Sequence, residues 1–434
     1  MGIIKFALLM LKREKKRAVS FGLSIMFTFV TAVLFFSIIN NTLLVDHTLS
    51  TSGGSFQDVS IPMSTLVSFA AISFSFLMLG MSNEYFLSHK TKELGILTIS
   101  GANFMESTFY LLVQTLIISF IAMVPGLILG VGVSVLSNKI MYGYMGIDST
   151  IFYVSPLAFR DTFVTFLAVF TFVVMLDMGF VHRNDVTTMI SGEKSNAVKT
   201  HGSDVKTAAL YIGLVVLGFA MIASAPFSAS EYLAPCLVGS FGLSGVLARV
   251  VPMGIEFGKR KQAMADKIKI IGLSNLAYSI KRSEMTTRVY NMAMVVMLSL
   301  MISQQNNPRN FITSVMAYFV VILLLCVSIV YKYLSEIQSR RVTFFNLYKI
   351  GYTQAQIKKC MRYELRHYYG LLTVLPFTIC VTLLVIFYSH GSLSLTFVLC
   401  LIGIEILPSF VMMAITYRNY TNLLKEIMEA VNHV

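Results

Sequence analysis

Glu405 and Asp177 stand inside long apolar runs of this 434-residue chain. A charge at the centre of a bilayer costs about 2.5–3.5 kcal/mol on insertion scales, so an intramembrane carboxylate needs a reason. Glu405, just ahead of Pro408, is either neutral, bonded to a neighbouring helix, or part of a substrate path. Asp177 has His182 and Arg183 nearby in sequence, which predicts an interfacial ion pair. Glu364 and Arg366 predict an ion network at the inner foot of a span. The seven histidines (His47, His89, His182, His201, His367, His390 and His433) are scattered over both membrane faces, so no metal site is expected. No Ser-His-Asp or Cys-His arrangement collects on one face. Cys236, Cys326, Cys380 and Cys400 lie in apolar runs and Cys360 in a basic one. All five read as small buried residues. Gly192-Glu193-Lys194-Ser195 is a poor echo of a phosphate-binding loop, lacking Gly-Lys and a preceding strand. The residues thus offer no catalytic constellation, and any ATP chemistry must come from another protein.

The elements that hold these residues are membrane helices. The chain is 56% hydrophobic and only 13% charged, where a soluble domain averages about 25% charged. So few charges cannot cover a water-soluble globule, which excludes an ordinary cytosolic enzyme, a disordered chain and a disulfide scaffold. The formal charge of +13 is explained by basic cytoplasmic loops rather than by nucleic acid. A spanning helix needs about 20 apolar residues. Ten runs qualify: 18–40, 62–87, 108–136, 159–181, 207–226, 231–254, 286–304, 311–332, 366–389 and 395–417. Pro235 and Gly239 interrupt the sixth, and a few residues around Ser228–Glu231 join it to the fifth as a tight hairpin. With both termini inside, nearly all Lys and Arg fall on the inner side. Lys139, Arg160 and Arg309 are the outer exceptions. Residues 1–17 mix Lys5, Lys12, Arg13, Lys15, Lys16 and Arg17 with apolar side chains and predict an amphipathic helix along the inner face. The outer segments, including 41–61 with Gly53-Gly54 and the turn at Pro308, are too short for an extracellular domain. Gly126 and Gly130 predict close helix packing, and Pro125 and Pro376 predict kinks.

Two inner segments repeat. Aligning Gly351 with Gly101 sets an offset of 250 residues. It brings Leu347 onto Leu97, Arg340 onto Lys90 and Glu364 onto Gln114. Ahead of the first and seventh spans, Lys12-Arg13-Glu14 resembles Lys281-Arg282-Ser283 at an offset of 269. Spans one to four and seven to ten therefore read as two copies of one four-helix unit. The domain expectation is 1–200, an inserted hairpin at 201–258, and 259–434. In the repeated segment Leu94, Leu97 and Thr98 share a helix face, as do Phe344, Leu347 and Tyr348. Gly101 and Gly351 end those helices. Two such short surface helices suit docking on a two-fold symmetric cytosolic partner better than lying in lipid headgroups.

In the first copy an aromatic residue and basic residues precede Glu93-Leu94-Gly95, then come Leu97 and Ser100-Gly101-Ala102. This pattern resembles the FtsX-like permease family, the membrane subunits of MacB-type (type VII) ABC transporters. The ten-span plan is similar to bacitracin- and lantibiotic-resistance permeases, without their large extracellular domain. The second copy is degenerate, with Val342-Thr343-Phe344 in place of Lys-Glu-Leu. The resemblance implies coupling helices at 90–107 and 340–358 that contact two copies of a cytosolic ATPase. Lys92, Glu93, Leu94, Leu97, Gly101, Arg341, Phe344, Leu347, Tyr348 and Gly351 are the expected coupling residues. It implies ATP and Mg bound by that partner and no cofactor on this chain. It also implies peptide, antimicrobial-peptide or lipid-linked substrates at a bacterial cell membrane. The competing expectations are a sensory protein relaying ATPase state to a histidine kinase or cell-wall enzyme, and an ion-coupled carrier or membrane enzyme using Glu405 and Asp177.

Overall fold

A computed structural model describes residues 2–44, 63–183, 205–225, 229–262, 267–304, 307–391 and 393–432. Gly53-Gly54, Gly192–Ser195, His47, His201 and His433 lie outside them. The protein is an all-α integral membrane protein, with ten helices among the described residues long and apolar enough to cross a bilayer. In chain order the helices are α1 (Ile3–Arg13), α2 (Lys15–Ile39), α3 (Met63–Ile99), α4 (Phe104–Met145), α5 (Pro156–Arg183) and α6 (Val205–Ser224). A 3-10 turn (Ala229–Tyr232) leads into α7 (Leu233–Gly245), a π-helical turn (Val246–Val250) and α8 (Val251–Gln262). Then follow α9 (Lys267–Arg282), α10 (Glu284–Ser303), α11 (Pro308–Lys349), α12 (Gln354–Ser389) and α13 (Leu395–Asn432).

Two differences from expectation concern continuity. Pro235 does not interrupt the sixth span. It sits in the first turn of α7, where a missing N–H breaks no helical bond. Gly239 faces Gly218 of α6, close enough to leave no room for a side chain between them. The repeated inner segments are not separate surface helices either. α3 runs unbroken for 37 residues and α11 for 42. At about 1.5 Å per residue both far exceed a hydrocarbon core of about 30 Å. Nothing in Tyr85–Ile99 breaks a helix, so the span carries its polar inner end with it.

The chain divides into two compact units. The first holds residues 1–197 and 304–324, the second 198–303 and 325–434, so α11 contributes its two halves to different units. In the first unit α2 packs against α3, α4 and α5. Gly126 and Gly130 make the α2–α4 contact close. A Cβ on Gly126 would lie 2.8 Å from Phe29 Cβ and 3.1 Å from the Met26 carbonyl oxygen, and one on Gly130 2.8 Å from Val33 Cβ. In the second unit α10 packs against α7 and α12, and α12 against α9 and α13. Burial orders the spans alike in the two halves of the chain. In an apolar 18-residue stretch of each, the first four are 67, 50, 28 and 22% buried and the last four 72, 61, 39 and 28%, so α2 and α10 are the most enclosed of each four and α5 and α13 the most exposed.

Candidate functional site

The ends of α3 and α11 are built alike. At the first, Gly101 N–H donates to Thr98 O at 3.0 Å and Ala102 N–H reaches back to Leu97 O at 3.2 Å. At the second, Gly351 N–H donates to Tyr348 O at 2.9 Å and Tyr352 N–H to Leu347 O at 3.1 Å. This pair of bonds closes a helix through a residue with positive φ, and φ is +91° at Gly101 and +101° at Gly351. Two residues later each chain re-enters a helix through a reciprocal cap. Asn103 N–H donates to Glu106 Oε2 at 2.9 Å, and Thr353 N–H to Gln356 Oε1 at 2.9 Å. The side chains of Asn103 and Thr353 return the bond to the third helical residue. The sequence reading selected the glycines but missed Asn103, Glu106, Thr353 and Gln356. An Asn or Thr three residues ahead of Glu or Gln was the available signal.

Residues selected from sequence divide into two groups. Leu94 and Phe344 are buried in their own units. Leu94 joins Ala7, Leu87, Tyr110 and Leu111, and the Phe344 ring stands edge-on to Tyr420. Their part is to anchor each tip. Leu97, Leu347 and Tyr348 are half-buried, Glu93 faces inward, and Lys92, Gly101 and Gly351 are exposed. The Arg341 side chain lies outside the described residues. The apolar groups offered outward are others: Ile96, Ile99, Phe104 and Met105 on the first tip, at 60, 64, 40 and 69% exposure. Among the described side chains of the second tip, Ile350 is the exposed large apolar residue, beside Asn346, Lys349 and Lys359.

A charged latch holds the foot of the first tip. Lys90 is fully buried, with Nζ 2.9 Å from both Glu14 Oε2 and Glu93 Oε2. Tyr110 O–H donates to Glu93. Gln114 Nε2 donates to Ala7 O at 3.1 Å and to Tyr110 Oη at 2.9 Å. Glu14 is the residue between α1 and α2, so the latch ties that break to α3 and α4. α1 does not simply float on the membrane. Ile3, Phe6, Ala7 and Met10, on one face at helical spacing, pack onto Leu87, Leu94, Tyr110 and Leu111, while Ile4, Leu8 and Leu9 remain exposed. In the second unit Ser283 holds the equivalent break between α9 and α10. There Ser279 Oγ donates to Glu364 Oε1 at 2.6 Å, and Glu364 is the counterpart of Gln114.

The intramembrane carboxylates sit apart from the tips. Asp177 is fully buried and accepts from Asn83 Nδ2 at 2.8 Å and Thr115 Oγ1 at 3.2 Å. It does not make the expected interfacial pair with His182, whose ring packs edge-on to Phe104 instead. Asp177 is one and a half turns deeper on α5 than His182, and inward-facing amide and hydroxyl donors reach it first. Glu405 is buried beside Cys380 and Tyr290. Glu364 is buried and bonds to Ser279 of α9, and Arg366 is exposed.

Residues 65–178 match the family model described as FtsX-like permease C-terminal. The match takes in α3 with its tip, α4 and most of α5. No curated protein matches the chain. The match supports a membrane permease-type component of ABC transporters; FtsX-like permeases are membrane transport components that typically partner with ATPases.

Proposed function

We propose that this chain is the permease subunit of a bacterial ABC transporter, coupling a separate cytosolic ATPase to movement or release of a peptide or lipid-linked substrate at the membrane. The observation that carries the reading is the recurrence, at a fixed offset of 250 residues, of one tip: helix end, positive-φ glycine and reciprocal cap. A rigid cap on an outward-facing turn resists the load that a moving partner applies, which a loose loop does not. On this reading residues 1–200 and 259–434 are two copies of one unit, each offering a tip to one of two ATPase copies, with 201–258 inserted. The breaks at Glu14 and Ser283 support that division. ATP and Mg belong to the partner. Both termini and both tips lie in the cytoplasm of the bacterial cell, as the basic inner segments favour. Antimicrobial-peptide resistance, with signalling to a histidine kinase, is the physiological setting that the likeness to resistance permeases suggests.

The test uses the purified chain in lipid nanodiscs with the cytosolic ATPase that co-purifies with it, and absence of any such ATPase contradicts the reading. ATP hydrolysis by that ATPase rises on adding the permease, and Ile99→Glu with Met105→Glu removes about 90% of the rise by burying charge in an apolar contact. Hydrolysis unaffected by the permease, or by these substitutions, contradicts the reading.

A further inference from the structure

Three basic residues of the first unit, Lys139, Arg160 and Arg309, are the exceptions to the clustering of Lys and Arg in the inner segments, and they are not alike. Lys139 is exposed. Arg160 is exposed and paired with Asp161 at 2.9 Å. Arg309 is only 4% exposed, and its Nε has no hydrogen-bond partner. No ion pair joins it to any carboxylate among the described residues, and the sequence from 304 to 335 contains no Asp or Glu. Its described polar neighbours in the chain, Gln304, Asn307 and Asn310, bond to one another. Asn310 Nδ2 donates to Gln304 Oε1 at 3.1 Å, and Asn310 N–H to Asn307 Oδ1 at 3.3 Å. Arg309 is the second residue of α11, a 42-residue helix. Pro308 has no N–H to offer, the backbone N–H of Arg309 is one that a helix cannot satisfy internally, and the positive end of the helix dipole lies here.

A buried guanidinium with no acid beside it among the described residues is an expense that folded proteins avoid unless an anion completes it. The geometry points to an anion site at Arg309 that takes a phosphate group, whose oxygens match the fork of guanidinium donors and add to what a helix N-terminus already favours. α11 begins at the boundary of its span, the depth at which lipid phosphates lie. Lipid headgroup and free phosphate share this chemistry, and the arms of one experiment separate them. This site does not depend on the ATPase reading.

The experiment measures thermal unfolding of the full chain in a phosphate-free maltoside detergent. Phosphatidylglycerol, a diacylglycerol with the same tails, and inorganic phosphate are added separately. The wild type is stabilised by phosphatidylglycerol and not by diacylglycerol if the source is a headgroup, and by inorganic phosphate if the source is soluble. Arg309→Met loses the response and, with its uncompensated charge gone, unfolds at or above the wild-type temperature in the additive-free detergent. Arg309→Lys keeps the charge but not the fork, and binds the stabilising phosphate about tenfold more weakly. Three results overturn the proposal: no phosphate source outperforms diacylglycerol on the wild type, Arg309→Met responds as the wild type does, or Arg309→Met is less stable than the wild type without additive. The last would mean that the guanidinium already has its partners within the protein.

Discussion

Gly101 and Gly351 carry the two tips on backbone conformation alone. Nothing lies within 4 Å of where a Cβ would stand at either, so alanine there meets no clash and pays only for left-handed backbone, about 1–2 kcal/mol. Gly101→Ala and Gly351→Ala therefore lower the unfolding midpoint by similar small amounts. A thermal melt of each in detergent checks this, and asparagine at either position costs less than alanine. Lys90 is a harsher case. Lys90→Met leaves Glu93 without its cation and Glu14 with Arg17 alone. The penalty is about 3 kcal/mol, at the low end for a broken buried pair because both carboxylates keep some solvent. The double variant Lys90→Met with Glu93→Gln recovers part of the loss, which the same melt reads. The glycines of the tips were legible in sequence; the caps at Asn103 and Thr353 were missed although a capping box is a local pattern. The latch was not legible, because Glu14 and Lys90 come together only when α1 folds back against α3 and α4.

At the scale of elements, hydropathy located all ten spans, since the bilayer sets their minimum length. It could not say where each helix stops, because a helix needs no break at the membrane boundary. The tip at Gly101 was expected on a short surface helix and instead caps a helix of 37 residues. The glycines of α4 show how one helix can read differently along its faces. Gly130 touches Val33 closely, whereas Gly132 has nothing within 4 Å. Gly130→Leu must push α2 away and costs about 1–3 kcal/mol by overpacking. Gly132→Leu leaves stability nearly unchanged. A pair of melts separates them, and equal losses would place the α2–α4 contact elsewhere. Asp177 taught the opposite lesson to the spans: its neighbours in sequence suggested an ion pair, and its neighbours in space are an amide and a hydroxyl.

At the scale of the whole molecule, six spans separate the two tips, so chain connectivity alone puts both on one side of the membrane. On the proposed orientation, the excess of Lys and Arg near those ends marks that side as the cytoplasm. In intact cells carrying a chain without its native cysteines, an impermeant thiol reagent labels cysteine placed at Asp148 and fails to label it at Ala102 or Tyr352. Labelling in the reverse pattern would invert the molecule. The tips also differ in chemistry, apolar at Ile96, Ile99, Phe104 and Met105 and more basic around Lys349 and Lys359. Added salt therefore weakens contact through the second tip more than through the first. The most direct measurement is photo-crosslinking in native membranes, with a photoreactive residue at Ile99, at Ile350, or at lipid-facing Ile128 as control. The account predicts adducts of the ATPase subunit from both tips and none from Ile128. Adducts of lipid alone from Ile99 and Ile350 would contradict it.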